Sequence, residues 1–168
     1  MLATFCFLVF AGLLIAAAIW DMATLTIPNW LCATAALLFP IAGLAMGLSG
    51  VDVLVHCSFG LAILVVTFFM FQAGVFGGGD AKLLAAVAVW SGPSIFLILV
   101  ATIALAGGGL ALLLMSARAN IPYIAGAPRF VNKLLEPKGG IPYGIAIMVG
   151  ALATLPTAPL YADALTLP

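Results

Sequence analysis

Residues 2–20, 30–48 and 95–115 contain no charged side chain, and neither does 141–155. The runs 53–71 and 81–90 add only His56 and Lys82. Unbroken apolar stretches of this length cannot be the half-buried helices of a water-soluble domain, which leave one face polar. Roughly 20 apolar residues are what a helix needs to cross a bilayer. Hydrophobic residues make up 66% of the 168 and charged ones 6%, against about 25% charged in soluble domains. Five Lys/Arg and five Asp/Glu cannot coat a soluble globule, and five cations make no nucleic-acid surface. A membrane β-barrel would alternate apolar and polar residues, which these runs do not.

The expected fold is an all-α membrane protein, a single domain over 1–168 built as a bundle of about six transmembrane helices. The spans fall at 2–20, 30–48, 53–71, 81–90, 95–115 and 141–155. The first lacks a positive n-region and exceeds a usual signal h-region, so it reads as a retained span. Pro28-Asn29 opens the second, with Asn29 as its cap. Ser91-Gly92-Pro93 separates the fourth from the fifth. Within 116–139, Pro122, Pro128 and Pro137 predict an irregular loop, with a short interfacial helix over 130–135. Cys6, Cys32 and Cys57 form no C-x-x-C pair, and the single His56 has no partner at metal spacing. No metal site is expected.

Lys82, Arg118, Arg129, Lys133 and Lys138 all fall on one side of a six-span chain. The positive-inside rule makes that side cytoplasmic and puts both termini outside. Asp21, Asp80 and Glu136 share it, leaving Asp52 and Asp163 opposite. The 81–90 run is about 15 Å of helix, half of what the bilayer requires. Either its helix starts inside the glycine-rich 72–80 segment or that segment dips into the membrane. Irregular backbone at such depth survives only where protein or a wet cavity surrounds it.

Asp21 and Asp80 sit at the cytoplasmic ends of their spans. An ionised Asp at a helix centre costs about 2.5–3.5 kcal/mol; at a rim it can simply be solvated. Two such acids beside conformationally special segments, in a chain with five, point to use. Two carboxylates brought together share a proton: one accepts a proton from an attacking water while the other donates to the carbonyl oxygen. Gly77, Gly78 and Gly79 would let a substrate backbone approach Asp80 without a Cβ in the way, and could pair with it as a strand. Lys82 does not face Asp80 on a helix and is expected to snorkel to the headgroups. Gly43, Gly47, Gly107–Gly109, Gly140 and Gly144 fit close helix packing.

These residues resemble the type IV prepilin peptidases, particularly the short CpaA/TadV-like members. The likeness rests on an Asp ending the first span followed by Ile27-Pro28-Asn29, on Gly77-Gly78-Gly79-Asp80 with Ala81-Lys82 after it, and on Pro142-Tyr143-Gly144 opening the last span. It implies a membrane aspartic endopeptidase that removes the leader of prepilins or pseudopilins (Flp/Tad type) at the cytoplasmic face of the bacterial inner membrane. By the same resemblance Asp21 and Asp80 are the catalytic pair and no cofactor is needed. Expected partners are the precursor and the lipid bilayer, not nucleic acid. Family members often carry Arg or Lys between the first Asp and Ile-Pro-Asn; Met22-Ala23-Thr24-Leu25-Thr26 is uncharged. The extra cysteine-bearing region of longer members has no counterpart, so peptidase activity without N-methylation is expected. Two other readings use the same residues: a small transporter with the aspartates as a proton relay, or a non-catalytic subunit of a secretion assembly.

Overall fold

The computed structural model describes residues 1–121, 126, 128–137, 139–158 and 160–161. Expectations placed on Pro122, Lys138 and Asp163 lie outside the described residues. All regular structure among those described is helical. In chain order it comprises α1 (Leu2–Thr24), α2 (Asn29–Ala45), α3 (Gly50–Gln72), α4 (Gly78–Asn120), α5 (Arg129–Leu135), α6 (Tyr143–Thr154) and a closing 3-10 turn (Leu155–Thr157). Helices α1, α3 and α4 are long and apolar enough to cross a membrane, whereas α2 and Tyr143–Thr157 are shorter apolar segments.

Helix α4 organises the bundle, packing against α2, α3 and α6, while α1 packs on α2 and α6. Its first arm, 78–91, is apolar nearly all round, and residues 85–92 are buried without interruption. Such a helix belongs at the centre. Ala85, Ala86 and Ala88 keep it thin enough for neighbours to approach closely. Gly60 of α3 lies directly against Val89 and the Ala85 carbonyl. Trp90 anchors the interior: fully buried, it stacks on Phe10 at 4.0 Å and donates its indole N–H to the Ala35 carbonyl at 2.8 Å.

The expected break at Ser91-Gly92-Pro93 is a bend within α4. Gly92 adopts φ 58, ψ −176, a left-handed φ that favours glycine. Pro93 has no N–H to offer the Val89 carbonyl four residues earlier, and Val89 is buried inside the bundle. Side chains fill the gap. His56 Nδ1 contacts the Val89 oxygen at 2.9 Å; a carbonyl only accepts, so Nδ1 carries the proton. Ser91 Oγ donates to Ala88 at 3.1 Å and the Tyr161 hydroxyl donates to Trp90. The His56 ring also stacks on Phe39 at 4.8 Å.

Several local expectations need correction. Asn29 does not cap α2; Pro28 holds the N-cap position in an extended conformation and Asn29 is the first helical residue, which frees its side chain for another contact. The glycine-rich segment does start a helix, at Gly78. Gly47 sits in a turn at φ +86, and a Cβ added at Gly108 or Gly109 would meet no neighbour within 4 Å, so these three serve no close helix contact. Ser49 and Asp52 form a reciprocal capping box that starts α3. The short helix expected over 130–135 is α5.

Candidate active site

Three segments distant in sequence meet at one end of the bundle. Asp21 occupies the last turn of α1 and is only 5% exposed. Its Oδ2 accepts the backbone N–H of Gly144 at 2.8 Å. Gly144 lies in the first turn of α6, behind the N-cap Pro142, where helix N–H groups lack intrahelical acceptors. Asp21 therefore caps α6 from another helix, its carboxyl group at the positive end of the α6 dipole. The contact depends on the absent side chain: a Cβ at Gly144 would come within 3.0 Å of both Asp21 Cβ and Oδ2.

Asp80 stands in the first turn of α4, three residues after the N-cap Gly77, and is half-buried. Its carboxylate folds back over Gly77, where a Cβ would meet Oδ2 at 2.5 Å. Gly78 receives the Phe71 ring at 3.2 Å, and Gly79 receives Ile27, whose Cβ and backbone N would both lie 3.1 Å from a Cβ there. The open sides of Gly78 and Gly79 are thus filled by protein rather than left for a substrate. Both residues are helical, which commits their carbonyls to the α4 ladder instead of to strand pairing. Lys82 donates to Asn29 Oδ1 at 2.8 Å, a second tie between the 27–29 and 77–82 segments beside Ile27 on Gly79.

Asp21 and Asp80 stand at the same end of the bundle, because Ile27, just past the end of α1, packs on Gly79 beside Asp80. Among the described residues no group of three or more His, Cys, Asp or Glu gathers as a metal site.

The remaining expected residues fall around this pair with differing roles. Pro28 and Pro142 occupy the N-cap positions of α2 and α6 without capping hydrogen bonds of their own. Tyr143 turns its ring onto Gly107 of α4, where a Cβ would approach Cε1 at 2.8 Å, so its ring packs on the bundle. Two supporting residues had no signal in the sequence. Arg118 donates from Nε to the Leu134 carbonyl and from Nη2 to the Gly140 carbonyl, both at 2.8 Å. It ties α4 to α5 and to the stretch of chain leading into Gly144. Leu25 ends α1 at φ 58, ψ 34, a left-handed conformation that costs a leucine roughly 1 kcal/mol or more. Its side chain packs on Gly140, 3.1 Å from where a Cβ would stand.

The model of the type IV leader peptidase family matches residues 8–112, more than half of the chain, and the matched region contains both aspartates. The chain belongs to the type IV leader peptidase family. Membership makes proteolysis of leader peptides its activity class, and together with the three long apolar helices it makes the chain a membrane protein. The 142–144 segment lies beyond the matched residues, yet it supplies the N–H that holds Asp21 in this leader peptidase. No curated protein and no solved structure matches the chain.

Proposed function

We propose that this leader peptidase is a membrane aspartic endopeptidase that cuts prepilin or pseudopilin leaders of the Flp/Tad type, with Asp21 and Asp80 as the catalytic pair. The observation that carries this reading is the meeting of the segments that bear Asp21 and Asp80, through Ile27 on Gly79 and Lys82 on Asn29, in a family whose members cleave leaders. The Gly144 N–H holds Oδ2 of Asp21 and so orients the carboxyl group toward an attacking water. That water attacks the scissile carbonyl as one carboxylate takes its proton and the other protonates the carbonyl oxygen. The roles then exchange as the amine leaves. No cofactor enters this scheme, and N-methylation is not part of it.

In this reading the bend at Gly92 divides α4 into two spans, giving six with α1, α2, α3 and α6. Lys82, Arg118, Arg129 and Lys133 lie toward the aspartate end in the six-span order, which the positive-inside rule assigns to the cytoplasm of the bacterial inner membrane. The substrate is a precursor presented at that face.

The test is co-expression with a cognate prepilin. Asp21→Asn and Asp80→Asn, made separately, are each expected to leave the precursor uncut while the enzyme still inserts. Normal processing by both variants rejects the proposal.

A further inference from the structure

A cavity of about 530 Å³ lies between α2, α3 and the first arm of α4, outside the Asp21–Gly144 contact. Each helix contributes residues three and four apart, one face of a turn pattern. Small residues make up much of its lining: Ala33 and Ala36 from α2, Gly60 from α3, Ala85 and Ala86 from α4. Leu37 and Leu61, also in the lining, are 72% and 62% exposed, so the cavity is a groove that opens sideways, toward the lipid in a membrane-spanning chain. Its polar end is formed by Asn29 and Lys82, and Lys82 is the only charged residue of the lining among the described residues.

The dimensions restrict what can lie there. From Asn29 to Pro40 the groove follows α2 for about 16 Å. Spread over that length, 530 Å³ of space for water centres corresponds to a channel roughly 9 Å wide, still narrower than the about 10–12 Å that a helix with its side chains needs. An extended peptide is narrow enough, but its N–H and C=O groups require partners. The walls beyond Asn29 and Lys82 are aliphatic side chains, two cysteines and a proline, and supply too few. A single hydrocarbon chain fits the width and needs no hydrogen bonds. The Lys82 ammonium, held at 2.8 Å from Asn29 Oδ1, presents a positive charge at the mouth, and none of the described lining residues is acidic to neutralise it.

We propose that this groove binds one acyl chain of an anionic phospholipid, with the headgroup phosphate against Lys82. The proposal rests on the membrane location of the chain and is independent of the catalytic assignment. Because Lys82 follows Asp80 by two residues, a lipid seated there lies beside the candidate active site.

Photoreactive lipids test it. The purified full-length protein in detergent is labelled with phosphatidylglycerol or phosphatidylcholine bearing a mid-chain diazirine, and the adducts are mapped by mass spectrometry. Phosphatidylglycerol is expected to label the α2 and α3 groove residues about fivefold more than phosphatidylcholine, the discrimination one lysine at a membrane surface provides. Ala36→Trp, which fills the channel, is expected to abolish groove adducts while labelling elsewhere on the surface persists. Lys82→Gln is expected to erase the headgroup preference but leave acyl labelling. Leu61→Trp fills the groove from its exposed rim and serves if Ala36→Trp does not fold. Labelling spread evenly over the lipid-facing helices, or unchanged groove labelling in the tryptophan variants, overturns the proposal. So does a groove labelled by a photoreactive prepilin and not by lipid.

Discussion

The backbone N–H of Gly144 and the carboxylate of Asp21, 123 positions apart in the chain, form a 2.8 Å hydrogen bond in a buried setting. This bond fixes the entry of α6 to the exit of α1. It also fixes the orientation of the Asp21 carboxyl group. The relation requires glycine at 144, since any Cβ there would press on the carboxylate.

Gly144→Ala is therefore expected to fold but to displace Asp21 by a few tenths of an ångström, lowering prepilin cleavage at least about tenfold. Displacements of this kind near reacting groups are costly to rate. Gly144→Val is expected to lose activity altogether and to cost about 1–3 kcal/mol through overpacking. Cleavage kinetics in isolated membranes, compared with melting of the purified protein in detergent, separate the two effects.

Asparagine and alanine at position 21 should behave differently. Asn presents a side-chain oxygen that still accepts from Gly144, so Asp21→Asn is expected to melt near the parent while cleavage falls about 10²–10⁴-fold, the usual weight of a general acid or base. Asp21→Ala leaves a buried N–H without an acceptor, and an added loss of about 1–3 kcal/mol is expected. Equal melting of the two variants would show that the hydrogen bond contributes nothing to the fold.

Gly79→Ala would bring a methyl group 3.1 Å from Ile27. The neighbouring atoms are Cβ and the backbone N, neither of which is the far end of a flexible side chain. Truncation by Ile27→Ala removes neither atom, so the double variant is expected to stay as impaired in cleavage as Gly79→Ala alone. Recovery in the double variant would mean that the outer Ile27 side chain, rather than the 27–29 backbone, sets the distance.

His56 supplies the donor that Pro93 withholds from Val89. His56→Ala is expected to lower stability in detergent by about 1–3 kcal/mol, the cost of an unsatisfied buried carbonyl. The aspartates lie at the opposite end of the first arm of α4, so cleavage at low temperature is expected to stay within about twofold of the parent. His56→Phe keeps a ring against Phe39 but cannot donate, and it is expected to melt with the alanine variant.

Much of this was readable along the chain. Run lengths and charge scarcity identify a helical membrane protein, and Asp21, 27–29, 77–82 and 142–144 mark the segments that meet. What each glycine accommodates was not readable. Gly78 and Gly79 admit Phe71 and Ile27, Gly144 admits Asp21, and Gly108 and Gly109 admit nothing; the same residue letter serves each case. Arg118 had the appearance of a topology-setting cation, yet its guanidinium hydrogen-bonds two backbone carbonyls. Asn29 had the composition of a helix cap, yet its side chain receives Lys82.

The order of apolar runs, the break expected at 91–93 and the candidate acids follow from the sequence alone, because hydrophobicity, proline and the cost of charge in lipid act locally. Which helix lies at the centre, which carbonyl His56 satisfies and how the end of α1 comes to lie beside the start of α4 belong to the tertiary structure. Those relations depend on atoms brought together from positions dozens of residues apart, and only packing specifies which of the many small residues is the one another chain segment touches.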